Sequence, residues 1–226
     1  MTRPPRSRRA AAVRRIDGPD DIAAGVRWLT RACPHMRRAH ALAGDPPLRR
    51  EAGGFEGLAR IIVGQQVSTA SADAIWARFA ATVRPMAAAR YMQLATADHV
   101  QIGLSRPKIR ALHAVAAAIA GGALDLDRLA EAPDDTVRDR LLALHGIGPW
   151  SADIYLMFCL GRVDAFAPGD LALQVAAERL MELAGRPDAK ALAGIAERWR
   201  PWRGVAARLL WAYYRVSGNS RSGAPL

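Results

Sequence analysis

Leu144-His145-Gly146-Ile147-Gly148-Pro149-Trp150-Ser151-Ala152 decides how this chain is read. Two glycines split by one apolar residue end one helical run and open another, which predicts a tight hairpin over about residues 141–152. Pro149 suits the first turn of the departing helix. The free N–H groups of that helix start point outward and favour an anion such as a phosphate. Twenty residues beyond Trp150, the stretch Ala167-Pro168-Gly169-Asp170-Leu171 places a single acid at the start of another helix.

Outward from the hairpin the apolar spacing is helical throughout, and alternating strand patterns are missing. Asp20-Asp21 is read as the cap of a helix running to about Ala32, and Cys33-Pro34-His35 as its end. Phe55, Leu58, Ile61 and Ile62 share one face of a helix that reaches Gly64-Gln65-Gln66-Val67-Ser68. Thr96 is read as capping a brief turn that ends at Gly103. Ser105 opens a longer helix stopped by Gly121-Gly122, Asp134-Asp135 starts the helix entering the hairpin, and Trp202 begins the last one. The expected fold is all-α, with roughly ten helices and short loops. Residues 1–17, with six arginines in the first fifteen, are expected to form a disordered basic arm ahead of a helical core at 18–226.

Charge narrows the class of partner. The 226 residues carry a formal net charge of +11, and since Lys108 and Lys190 are the only lysines, 30 basic residues are arginine. An alanine- and arginine-rich chain also reflects a GC-rich genome. That explains arginine over lysine but not the positive surplus, which suits phosphate. Two cysteines, Cys33 and Cys159, are too few for a disulfide framework, a four-cysteine zinc site or an iron-sulfur cluster, and a reducing cytoplasm is their simplest home. No apolar run approaches the roughly 20 residues that cross a bilayer.

Taken alone, the hairpin also fits a purely structural corner. Asp170 alone also fits a helix cap, with Asp153 and Asp164 as rivals for any catalytic role. The conjunction is more specific. Together with Ile61-Ile62-Val63-Gly64-Gln65-Gln66-Val67-Ser68, Gly103-Leu104-Ser105 with Lys108, and Glu197-Arg198-Trp199-Arg200-Pro201-Trp202-Arg203 with Trp211, it resembles the helix-hairpin-helix DNA glycosylases. The narrower likeness is to the 3-methyladenine DNA glycosylase II branch of that superfamily.

This resemblance implies a core of two helical subdomains with the active-site cleft between them, and an enzyme of base excision repair that flips an alkylated purine out of double-stranded DNA and hydrolyses its N-glycosidic bond. Asp170 would be the catalytic carboxylate, and Trp150, Ile154, Trp211 and Gln65 would form the base pocket. Gln66 would fill the space the base leaves, with Gly146, Ile147, Gly148, Ser151 and Lys108 gripping DNA. Trp150 stands where strand-cutting members carry a nucleophilic lysine, so a monofunctional enzyme is implied. No cofactor is required, although a Na+ or K+ ion held by the carbonyls of Leu142, Leu144 and Ile147 is implied at the hairpin. The chain is expected to act as a cytoplasmic, nucleoid-associated monomer. Excision of another lesion (ethenoadenine, hypoxanthine or uracil) and non-catalytic sensing of damaged DNA remain alternatives.

Overall fold

The computed structural model describes residues 14–218, and among them the regular structure is helical apart from one isolated bridge between Arg15 and Arg162. The helices are α1 (Pro19–Ala32), α2 (Pro34–Ala43), α3 (Gly54–Gly64), α4 (Thr69–Thr82), α5 (Ala88–Tyr91), α6 (Thr96–Ile102) and α7 (Arg106–Ala120). They continue as α8 (Leu126–Glu131), α9 (Asp134–Leu142), α10 (Pro149–Ile154), α11 (Leu171–Met181), α12 (Ala189–Ala196) and α13 (Arg203–Val216). A π-helical segment, Tyr155–Cys159, extends α10, and a 3-10 turn, Glu197–Trp199, precedes α13.

Two helices exceed the sequence expectation. Cys33 ends α1 and at the same time starts α2, because the residue before a proline is driven into extended backbone while Pro34 suits a first helical turn. Asp125 caps the short α8, its side chain accepting the Arg128 N–H at 2.9 Å. Two caps also sit differently. Pro19 opens α1 and Gly18 is its N-cap, with the Asp21 carboxylate accepting the N–H of Gly18 at 3.0 Å. Ala95 rather than Thr96 caps α6, and Asp98 accepts its N–H at 2.8 Å.

Helices α1, α2, α11 and α13 pack on one another, and α12 joins them through α11. Helices α3 to α7 form a second group, with α8, α9 and α10 attached to it directly or through one another. Arg208 on α13 ties the groups together. Fully buried, it donates to the carbonyls of Leu48, Gly204 and Met157 at 3.0, 2.8 and 3.0 Å, and its guanidinium lies 4.8 Å from the centre of the Phe158 ring. Burial pushes its pKa down to about 9.

Of the expected basic arm, residues 1–13 lie outside the described residues. Residues 14–17 belong to the fold instead: the N–H of Ile16 donates to Gly161 at 2.7 Å, that of Val163 donates to Arg14 at 3.2 Å, and Ile16 is completely buried. Ile16 anchors this end because an isoleucine side chain removed from water contributes about 1.5–3 kcal/mol.

Candidate active site

The hairpin forms where the glycines require it. Gly146 has φ +83°, a conformation that L side chains rarely adopt, and a Cβ there would press into Ala111 of α7. Ile147 follows, 5% exposed, and its N–H closes the turn on the carbonyl of Leu144 at 3.2 Å. Gly148 is the N-cap of α10 with ordinary extended backbone, and a Cβ there would meet nothing within 4 Å. The first glycine is therefore demanded by internal packing, while the second leaves the helix start bare.

Gln65, expected in the base pocket, braces this corner. Its Nε2 donates to the carbonyl of Gly146 at 3.1 Å and to Ser151 Oγ at 2.9 Å, joining the end of α3 to both sides of the hairpin. Ser151 is 2% exposed, so its side chain is committed to that brace rather than presented to a ligand. Ile147 likewise offers only backbone. Gln66 next door is exposed and sits at φ +55°, a left-handed conformation that costs a non-glycine residue about 1 kcal/mol.

Asp170 is the N-cap of α11 and also the centre of a polar cluster. Its Oδ1 accepts the N–H of Leu173 at 3.0 Å and the indole N–H of Trp211 at 3.0 Å, and its Oδ2 accepts the indole N–H of Trp150 at 2.9 Å. The two readings of this acid, cap and site residue, are thus compatible. With 6% of Asp170 exposed, three N–H groups solvate the carboxylate in place of water. Trp150 lies on α10 and Trp211 on α13, so the acid sits where the two helical groups meet.

Both rival acids are occupied by arginine. Asp153, 4% exposed, accepts from Arg138 Nη2 at 2.6 Å, and burial nevertheless holds its pKa above the ordinary carboxylate value. Asp164 pairs with Arg200 and with Arg203, the latter at 3.0 and 3.1 Å. Asp170 takes neutral donors instead. These ion pairs bridge residues 15 to 39 positions apart, so no local spacing announces them.

Besides Gln65 and Ser151, three more expected site residues are placed differently from their expected roles. Trp211 is 2% exposed, stacked on Phe158 with ring centres 5.6 Å apart, so it orients Asp170 rather than offering an open wall. Ile154 is completely buried, because α10 packs from Ser151 onwards against α3 and α9. Trp150 remains partly exposed, as an open wall requires.

Lys108 is the third, and it does not face solvent. Its Nζ donates to the carbonyl of Val63 at 2.7 Å, satisfying an orphan acceptor in the last turn of α3, and burial lowers its pKa. Lys108→Met should therefore cost about 1–3 kcal/mol of stability in denaturant melts. The same variant should leave the slope of DNA affinity against salt unchanged, whereas a phosphate contact would lower it by about one unit.

The family model described as HhH-GPD superfamily base excision DNA repair protein matches residues 59–201. The probable bifunctional transcriptional activator/DNA repair enzyme AlkA of Mycobacterium tuberculosis is 34% identical over 193 residues, covering 76% of this chain and 38% of that protein. The chain thus spans well under half the length of that relative. Among solved structures, a DNA-3-methyladenine glycosidase from Bacillus halodurans superposes with a TM-score of 0.70 at 28% identity, over 93% of this chain and 94% of that one. A 3-methyladenine DNA glycosylase of Schizosaccharomyces pombe in complex with abasic DNA gives a TM-score of 0.77 at 22% identity, over 85% of this chain and 95% of that one. From the hairpin, the acid twenty residues beyond it and this match, the chain belongs to the HhH-GPD superfamily of base excision DNA repair proteins.

Proposed function

We propose that the protein is a monofunctional DNA glycosylase for alkylated purines of the 3-methyladenine and 7-methylguanine type. One observation carries the reading: a buried carboxylate, without an arginine partner among the described residues, is held by the indole of Trp150 in the first turn of the helix leaving the hairpin. The names of its relatives, among them the DNA-3-methyladenine glycosidase of Bacillus halodurans, favour the same substrate class.

Breaking an N-glycosidic bond leaves positive charge on the sugar. Asp170 would stabilise that oxocarbenium-like state and take the proton of the water that adds to the anomeric carbon. An alkylated purine is already cationic, so the departing electron pair neutralises it and no dedicated acid is needed. Trp150 would stack on the extruded, electron-poor base while its N–H fixes the acid beneath. Gln66, exposed and strained, would enter the duplex where the base had been.

The hairpin would grip the phosphate backbone through N–H groups at the bare start of α10. Helix α9 ends at Leu142; the Leu141 carbonyl is taken by the N–H of Leu144 and the Leu144 carbonyl accepts the N–H of Ile147. The carbonyls of Leu142, Leu144 and Ile147 would make a neutral oxygen set for Na+ or K+, the second lone pair of Leu144 remaining for the ion, which when bound would supply positive charge beside the phosphate. The enzyme would work as a monomer on double-stranded DNA.

The test is a duplex with one 7-methylguanine. The protein should release the free base and leave the strand intact until alkali is added, with nothing trapped by borohydride. Spontaneous nicking with a borohydride adduct would overturn the monofunctional reading, and failure to release any alkylated base would overturn the activity.

A further inference from the structure

A second feature lies away from the hairpin. Helix α1 approaches α13 closely because residue 25 is glycine: a Cβ there would come within 2.6 Å of Val205 and 2.8 Å of Trp202. Beside that contact a depression of about 490 Å³ opens, lined by Ala24, Arg27, Trp28, Arg31, Ala32 and Trp202. Trp28 is half-buried against the core, and Arg27 and Arg31 stand exposed one turn apart on the same face of α1. A third guanidinium, that of exposed Arg14, lies 4.5 Å from the centre of the Trp202 ring. Among the described residues no carboxylate pairs with Arg14, Arg27 or Arg31.

We propose that this Trp28/Trp202 depression, lined by Arg27 and Arg31 with Arg14 over the Trp202 ring, docks an acidic peptide segment of another protein that carries an apolar or aromatic anchor. Charge and shape select this occupant. Residues 1–13, which directly precede Arg14, contain Arg3, Arg6, Arg8 and Arg9 and no acid, so they are repelled by the same three arginines. A second copy of the chain brings a net charge of +11 and is repelled likewise. An undistorted DNA duplex has no protruding apolar group to fill a hollow lined by two indoles. The hollow also sits on α1, which packs against α2 and α13, whereas the hairpin packs against α3 and α7. An acidic segment ending in an aromatic residue meets both demands, with the ring between the indoles and the carboxylates on the rim.

The probe is a fluorescein-labelled hexapeptide, Asp-Glu-Asp-Leu-Pro-Phe with a free C-terminal carboxylate, titrated by anisotropy with the full chain. Saturable binding on the order of 1–100 μM is expected, weakening as salt rises. Arg27→Glu with Arg31→Glu should weaken it at least about tenfold, and replacing the peptide's Phe by Ala should do the same. Ala24→Trp, which fills the hollow without touching charge, should also abolish binding. Thermal melts check that each variant is folded, and release of 7-methylguanine by the arginine double variant should match the parent. No saturable binding, or binding indifferent to both the arginines and the Phe, overturns the proposal. So does a tenfold loss of affinity for undamaged duplex DNA in the double variant, which would make this face part of the DNA interface. The peptide- and DNA-binding readouts do not depend on catalysis, so the proposal stands or falls apart from the glycosylase reading.

Discussion

Gly146→Ala should unfold the hairpin's corner and with it the affinity for DNA. The residue sits at φ +83°, where an L side chain costs about 1–2 kcal/mol. The added methyl would also overlap Ala111, and overpacking of this kind costs about 1–3 kcal/mol more. Relief would need α7 to move. That helix also carries Lys108, which holds the end of α3, so displacement would loosen the Gln65 brace on Gly146 and Ser151 as well. Chemical denaturation should report a loss of about 2–5 kcal/mol, the sum of strain and overlap. Duplex affinity should fall with it. Gly148→Ala makes the informative partner, because a Cβ there meets open space. Its stability should change by no more than about 1 kcal/mol, whereas its DNA affinity should drop if a phosphate approaches that backbone. Equal stability of Gly146→Ala and the parent would show that the corner is not built as described.

The sequence disclosed this corner because its requirement is local. Gly146 must adopt positive φ and Pro149 must open a helix, and both demands are written in residue type alone. Asp170 was legible locally only as a helix cap, which it is; it stood out from Asp153 and Asp164 through its conjunction with the hairpin and the family resemblance. What the chain hid depends on partners far apart along it. Trp211 meets Asp170 across 41 residues and turns from a wall into an orienting donor. Lys108 meets Val63 across 45 residues and is thereby withdrawn from solvent. Gln65 reaches 81 residues ahead to Gly146, a contact that no spacing rule anticipates. Ile154 lies one α-helical turn beyond Trp150, as the spacing says, but the packing of α10 against α3 and α9 buries it completely. Even the basic arm was overextended by four residues, because buried Ile16 outweighs its charged neighbours.

The positioning of Asp170 by two indoles makes the second large effect specific. Asparagine is itself a good N-cap, so in Asp170→Asn the carbonyl oxygen would still accept from Leu173 and Trp211. The amide group would face the Trp150 indole with a second donor, losing that bond at about 1–2 kcal/mol while the fold persists. Charge is the catalytic loss. A neutral amide cannot balance a developing oxocarbenium or accept a proton from water, which removes roughly 10²–10⁴ of rate. Removing a negative charge from beside a phosphate-rich ligand leaves DNA affinity equal or higher.

The decisive measurement is single-turnover release of 7-methylguanine from a duplex, with enzyme in excess, for the parent and for Asp170→Asn at matched DNA occupancy. The account predicts a rate lower by roughly two to four orders of magnitude in the variant with undiminished binding. Release at the parental rate by a folded, DNA-saturated Asp170→Asn would contradict it.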